Sequence, residues 1–148
     1  MDGALQKMKD TAAAYCAAAE RCKQDVCSKL ARASATQEQI DAVLQYLTQH
    51  HFLDEARYAC AFAHDKLRFA GWGRVKIRYA LRMKNVPDAA ISEALASIDE
   101  EDYQSRLKSI LQAKKRTLSG DDYTVRNKLM RFAASRGFEM DAVVRALG

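Results

Sequence analysis

Few side chains in this 148-residue sequence are of the types that do chemistry. Thiols stand at Cys16, Cys22, Cys27 and Cys60, and imidazoles at His50, His51 and His64. Together they contain the ligand types zinc favours. The spacing Cys16-x5-Cys22-x4-Cys27 nevertheless matches no common ligand ladder and contains no C-x2-C pair. A disulfide framework suits small exported chains that lack a core. Met1-Asp2-Gly3-Ala4-Leu5-Gln6-Lys7 lacks the basic-then-apolar pattern of an export signal, and the chain is long enough to bury a core. The cysteines are therefore read as structural thiols on helices, with no metal and no cofactor. His50 and His51 read as partners of a helix C-terminus.

Carboxylates gather at Asp54-Glu55, Asp88, Asp99-Glu100-Glu101-Asp102 and Asp121-Asp122. Paired acids can serve proton transfer. These stand where helices should begin, where a carboxylate accepts from free backbone N–H groups and meets the positive end of the helix dipole. They are expected to be caps. There is no glycine-rich phosphate loop ending in Lys-Ser/Thr, no H-E-x-x-H and no G-x-S-x-G. The expectation is a protein that is not an enzyme.

Cations offer a better lead. Lys and Arg number 24 against 19 acids, a net charge of +5, and the excess is segregated. The stretch Lys66, Arg68, Arg74, Lys76, Arg78, Arg82, Lys84 contains no acid, and neither does Arg106, Lys108, Lys114, Lys115, Arg116. A third acid-free stretch holds Arg126, Lys128, Arg131 and Arg136. Arg74, Arg78 and Arg82 recur every four residues and share a helix face, where like charges repel unless an anion lies across them. One such stretch alone reads equally well as a solvated helix face. Three of them favour a polyanion, and phosphates are the commonest extended anion field. Trp72, between Gly71 and Gly73, has a ring that can stack on a base or anchor the packing of a hinge. The expected binding residues are Lys66, Arg68, Trp72, Arg74, Lys76, Arg78, Arg82, Lys84, Lys114, Lys115, Arg116, Arg126, Lys128 and Arg131.

The elements that must position them are helices. Hydrophobic residues make up 49% of the chain, with one proline and six glycines. So little turn chemistry argues against an all-β sandwich or barrel and for an all-α fold. No apolar run approaches the ~18 residues of a membrane span, so a cytoplasmic protein is expected.

The chain also repeats itself. Ile40, Val43, Leu44 and Leu47 are spaced i, i+3, i+4, i+7, one stripe of a helix. The spacing returns at Ile91, Ala94, Leu95, Ile98 and at Met140, Val143, Val144, Leu147, offset by 51 and 49 residues. A second marker, a valine followed by a basic-apolar pair, occurs at Val26…Lys29-Leu30, Val75…Arg78-Tyr79 and Val125…Lys128-Leu129. A further helix precedes each pair. The expectation is three tandem three-helix repeats, 1–52, 53–98 and 99–148, stacked into an elongated, curved body with a long edge rather than a deep pocket. The last two helices of each unit form a helix–turn–helix arrangement. Its second helix carries Glu38 and Asp41, or Asp88 and Glu93, which would repel phosphates, so operator reading is not expected.

With the repeats laid out, the chain resembles the RecX family, small bacterial regulators of the RecA recombinase. The resemblance rests on Glu20-Arg21…Val26-Cys27-Ser28-Lys29-Leu30, on Phe52-Leu53-Asp54-Glu55-Ala56-Arg57-Tyr58-Ala59 and on Gly71-Trp72-Gly73-Arg74-Val75-Lys76-Ile77. It continues through Ala80-Leu81-Arg82-Met83-Lys84-Asn85-Val86-Pro87 and Lys128-Leu129-Met130-Arg131-Phe132…Arg136-Gly137-Phe138. The chain departs from the family pattern at Cys22-Lys23-Gln24-Asp25, where an Arg-x-x-Ser-like helix start is usual, and at His51, where glycine is frequent. The resemblance implies a monomer that binds the filament of RecA on single-stranded DNA. Such a ligand lodges in the filament groove, blocks growth and dampens ATP hydrolysis, strand exchange and the coprotease activity behind the SOS response. Duplex DNA is a further backbone ligand. The alternative is a stand-alone nucleic-acid-binding helical protein.

Overall fold

The structure is a computed structural model that describes residues 3–148. Among these residues there are nine α-helices and no strand. The first three are α1 (Gly3–Ala18), α2 (Lys23–Arg32) and α3 (Gln37–Gln49). Next come α4 (Glu55–Asp65), α5 (Arg74–Met83) and α6 (Asp88–Ala96), then α7 (Glu100–Lys115), α8 (Asp122–Ser135) and α9 (Met140–Leu147). Helix α4 runs on into a π-helical segment, Lys66–Ala70, before Gly71 stops it at φ +68°.

Capping explains where most of these helices start. Asp54, Asp99 and Asp121 each accept a hydrogen bond from the backbone N–H three residues on, at 3.0, 2.9 and 2.7 Å. Thr36 and Gln39 form a reciprocal capping box. The acidic clusters at these three positions are thus N-terminal caps. Asp88 lies in the first turn of α6 without capping it, and Pro87 occupies the cap position. Ser34, His51 and Asn85 end α2, α3 and α5 in the left-handed region, with φ +63°, +61° and +60°. At His51 the chain holds a geometry that glycine adopts without a Cβ penalty.

Two hydrophobic clusters form the core. One belongs to α1–α3 and contains Ala12, Cys16, Val26, Leu30, Ile40, Val43 and Leu47, with Leu53 added from the linker. The other is continuous through α4–α9, from Tyr58, Ile77 and Ile91 to Tyr103, Leu107, Leu129 and Val143, and takes in Cys22 from the first unit. The accessible surface of 8922 Å² exceeds the roughly 7,600 Å² of a compact monomer of 16.6 kDa, as expected of units laid side by side.

Burial changes one repeat marker. Val26 and Leu30 are buried in α2, but Val75 and Tyr79 of α5 are 56% and 66% exposed. The buried counterparts in α5 are Ile77 and Leu81, and in α8 Leu129 and Ala133. The buried register of α5 is therefore shifted by two residues from the valine-led alignment, because α5 carries apolar residues on both faces, whereas in α8 Leu129 of the marker stays buried and Val125 packs against the core. The i, i+3, i+4, i+7 marker of the second unit is buried throughout, Ile91, Ala94 and Leu95 on α6 and Ile98 just past its end, while in α9 only Val143 is fully buried and Met140 and Val144 are exposed.

The two junctions between units differ in kind. Between the second and third units the backbones touch. Gly73 N–H donates to Arg136 O at 2.7 Å and Val75 N–H to Gly137 O at 2.9 Å. A Cβ on Gly73 would come within 2.5 Å of Gly137 O, and one on Gly137 within 2.3 Å of Lys76 Cβ. The junction between the first and second units is ionic. Arg57 pairs with Glu20 at 2.6 Å, Lys84 with Asp25 at 3.1 Å, and Asn85 donates to Gln24 at 2.6 Å. The guanidinium of Arg57 also reaches the carbonyls of His51 and Phe52. The Phe-Leu-Asp-Glu-x-Arg-Tyr-Ala run is thus a clamp: Leu53 fills the first core, Asp54 caps α4, and Arg57 ties both to Glu20 in the α1–α2 connection.

Candidate polyanion-binding surface

The basic side chains fall into two groups once their partners are known. Arg74 is committed inside the protein. Its side chain is 19% exposed and pairs with Glu100 at 2.6 Å and Glu139 at 3.1 Å, with its guanidinium 3.9 Å from the centre of the Tyr103 ring. The fully buried Tyr103 donates its hydroxyl proton to Glu139 and accepts from the Arg74 backbone N–H at 3.0 Å. Burial works against the charge of Arg74, but the two carboxylates outweigh it and raise its pKa. Burial and the hydrogen bond to Glu139 raise the Tyr103 phenol far above its usual value. The anion across Arg74 is therefore the third unit's own carboxylate pair.

Lys84 is also paired, with Asp25 at 3.1 Å, but its side chain is half-exposed rather than inside the protein. Burial lowers its pKa, but Asp25 more than compensates, and the net direction is up. Asp25 shows the mirror image. Burial raises it, and the Cys22 N–H together with the Lys84 ammonium takes it below the usual carboxylate value. Arg82 has only an exposed contact with Asp88 at 3.4 Å, which contributes little to stability.

The second group has no carboxylate partner among the described residues. It comprises Lys66, Arg68, Lys76, Arg78, Lys114, Lys115, Arg116, Arg126, Lys128 and Arg131. Arg78 projects from α5, Lys115 and Arg116 from the end of α7, and Lys128 and Arg131 from α8. Trp72 is half-buried, packs against the larger cluster and lies edge-on to Phe62 at 6.4 Å. The ammonium groups of Lys66 and Lys76 stand 4.7 and 4.8 Å from its ring centre, so this indole is a packed anchor held by two cations. Lys114 lies 4.9 Å from the Phe132 ring. Arg68 is exposed on the π-helical segment beside Phe69, itself 76% exposed.

Sequence reasoning missed two features. The Glu139–Tyr103–Arg74 cluster joins residues 65 positions apart along the chain, which no local pattern reveals. Val75, Tyr79 and Met83 look like core residues in a helical sequence and are exposed instead. The four thiols are free; Cys16 and Cys22 are buried, and burial raises both pKa values. Such thiols are poor nucleophiles at neutral pH. No group of three or more His, Cys, Asp or Glu side chains among the described residues could hold a metal ion, and no described helix is long and apolar enough to cross a membrane.

Comparison with known proteins adds an independent line. Residues 54–95 match the family model of the second three-helix domain of RecX, and residues 100–147 that of the third. A regulatory protein RecX of Prosthecochloris aestuarii is 31% identical over 148 residues, covering 99% of this chain and 95% of the relative. A regulatory protein RecX of Clostridium botulinum is 34% identical over 124 residues, covering 82% of this chain. The match spans 58% of that longer relative. The crystal structure of RecX from Lactobacillus salivarius superposes with a TM-score of 0.87 at 17% identity, over 97% of this chain and 94% of that one, a likeness of fold. With both domain models in register with α4–α9 and full-length relatives above 30% identity, the chain belongs to the RecX family of regulatory proteins.

Proposed function

We propose that this protein binds the filament of the RecA recombinase on single-stranded DNA and restrains it, damping ATP hydrolysis, strand exchange and SOS coprotease activity. It acts as a cytoplasmic monomer and by occupation rather than chemistry. A long helical body in the filament groove obstructs subunit addition and the movements that accompany turnover. The observation that carries this reading is the set of acid-free, unpaired cations on α5, α7 and α8, in a chain of a family named for regulation. Lys115, Arg116, Lys128 and Arg131 meet phosphates of the single strand, and of duplex DNA where it is present, while Arg78 meets acidic side chains of the recombinase. Arg74 and Lys84 support the fold beneath them.

The test is RecA ATPase activity on single-stranded DNA with and without the protein. The wild type should reduce it. The quadruple variant Lys115→Glu, Arg116→Glu, Lys128→Glu, Arg131→Glu should not, while keeping its helicity. Loss of four single-strand contacts should also flatten the log–log salt dependence of DNA binding by about 3. Unaltered inhibition by the quadruple variant would move the interface elsewhere. The second reading, a stand-alone nucleic-acid binder, is favoured by the same cations, since phosphates alone satisfy them. Fluorescence anisotropy at two salt concentrations separates the two: a filament ligand prefers the filament to bare strand, and a stand-alone binder does not.

A further inference from the structure

Helix α5 buries Ile77 and Leu81 and turns a second apolar face outward. Val75, Tyr79 and Met83 follow one another at i, i+4 and i+8, and are 56%, 66% and 62% exposed. Four-residue steps place them in one row along the helix, a ridge about 12 Å long at 1.5 Å per residue. Contiguous exposed apolar residues on a soluble helix mark an interaction site more often than chance scatter. Along the same helix stand Arg78, with no carboxylate partner among the described residues, and Arg82, with only its exposed contact to Asp88. The helix contains no acid.

The ridge is also held in place. The backbone bonds of Gly73 and Val75 to residues 136 and 137, and the pairing of Arg74 with Glu139, fix the first turn of α5 against the third unit. A partner would meet a preorganised surface and would not have to order it.

We propose that this ridge docks an acidic amphipathic helix on the protein component of the filament. The partner's apolar stripe lies along Val75, Tyr79 and Met83, and its Asp and Glu side chains face Arg78 and Arg82. The inference rests on the filament reading above and divides its labour: α5 reads protein, and the cations of α7 and α8 read phosphate. Charge complementarity selects this occupant. A nucleic acid would use the Tyr79 ring and gain little from Val75 or Met83. A second copy could offer Met140 and Val144 of α9, but that helix carries one acid, Asp141, and one base, Arg145, paired with each other at 3.9 Å, and brings no net charge to answer the arginines.

The test is the triple variant Val75→Gln, Tyr79→Gln, Met83→Gln, with Tyr79→Gln alone as a milder companion should the triple lose helicity. Glutamine is a good helix former, and all three sites are exposed. Co-sedimentation with RecA filaments held on single-stranded DNA by a non-hydrolysable ATP analogue measures docking; anisotropy with a bare oligonucleotide measures DNA contact. Filament affinity should fall at least tenfold for the triple variant and severalfold for Tyr79→Gln, at low and high salt alike, with oligonucleotide affinity unchanged within twofold. Unchanged filament affinity overturns the proposal. So does an equal loss on the bare oligonucleotide, which makes the ridge a stacking platform for bases. A wild type that dimerises in sedimentation equilibrium through the ridge, while the variant does not, assigns it to a second copy and also overturns it. A wild type that never travels with filaments refutes the filament reading together with this docking; failure of the ridge alone leaves wild-type co-sedimentation intact.

Discussion

Adding one methyl group at Gly137 should cost more stability than deleting most large side chains from the surface. Gly137 sits at φ +89°, where an L-residue pays about 1–2 kcal/mol. Its Cβ would lie 2.3 Å from Lys76 Cβ and 2.5 Å from Lys76 N, and the second of these is backbone that cannot rotate away. Relief means separating α5 from the 136–138 turn by about 1 Å, an overpacking cost of about 1–3 kcal/mol. That separation stretches the hydrogen bonds Gly73 N–Arg136 O and Val75 N–Gly137 O, each contributing about 1 kcal/mol. The expected cost for Gly137→Ala is about 4 kcal/mol, against a total stability of about 5–15 kcal/mol. The midpoint of thermal unfolding should fall by roughly 10–15 °C. Urea unfolding followed by circular dichroism and by the fluorescence of Trp72, which lies at this junction, measures it. Gly3→Ala is the control: nothing lies within 4 Å of its Cβ, and alanine should be neutral or slightly stabilising there. If Gly137→Ala unfolds within 1 kcal/mol of the wild type, the backbone crossing between the second and third units is not as described.

Arg74→Ala should cost about 2–3 kcal/mol by stranding Glu139 and Tyr103, whereas Arg78→Ala should stay within about 0.5 kcal/mol of wild-type stability and weaken filament binding; parallel urea curves and co-sedimentation with RecA filaments separate the two roles. His51→Gly should raise stability by about 0.5–1 kcal/mol by relieving the Cβ penalty at φ +61°, read as a higher urea midpoint at unchanged slope. The Asp25–Lys84 pair should hold the first junction between two pH limits. Asp25 has a folded pKa below 3.8, so its contribution is complete above that value and is lost as pH falls through the folded pKa. Lys84 has a folded pKa above 10.5, so its contribution is complete below that value and is lost as pH rises through the folded pKa. Asp25→Asn should remove the acid limb, a difference of about 1 kcal/mol or less for a pair this exposed, visible as convergence of variant and wild-type melting temperatures at pH 2–3.

The fold was legible because its signals are local. Helix starts are written in Asp54, Asp99 and Asp121, helix ends in Gly71 and Gly137, and the three-unit period in the stripes of α3 and α6. What failed was the register of α5, because its two apolar faces compete for one periodic pattern and only the tertiary structure decides between Val75/Tyr79 and Ile77/Leu81. The candidate site was half legible. Acid-free stretches are a sequence property, but whether a cation is free depends on partners far along the chain. Glu139 answers Arg74 across 65 positions and Asp25 answers Lys84 across 59. Gly73 has a φ of −86° that needs no glycine; the requirement comes from the carbonyl of Gly137 pressed against it, which no local pattern announces.

The two junctions divide the molecule unequally, and the division matters for binding a repeating polymer. All of the unpaired cations on α5, α7 and α8 belong to one continuous core, locked by two facing glycines and a buried tyrosine. Their backbone spacing is therefore set during folding, and only the rotamer freedom of the Lys and Arg side chains remains to be lost on binding. The first unit is different. It has its own core and is attached through exposed ion pairs, Cys22 being its main apolar foothold in the larger cluster. Exposed pairs weaken with salt, since the screening length falls from about 10 Å at 0.1 M to about 3 Å at 1 M. The same rise in salt also weakens phosphate contacts, but through the α4–α9 body alone. A fragment spanning 54–148 contains all of the larger core except Cys22, and every cation proposed to meet phosphate, so whatever salt dependence the full chain has beyond that fragment's belongs to the first unit.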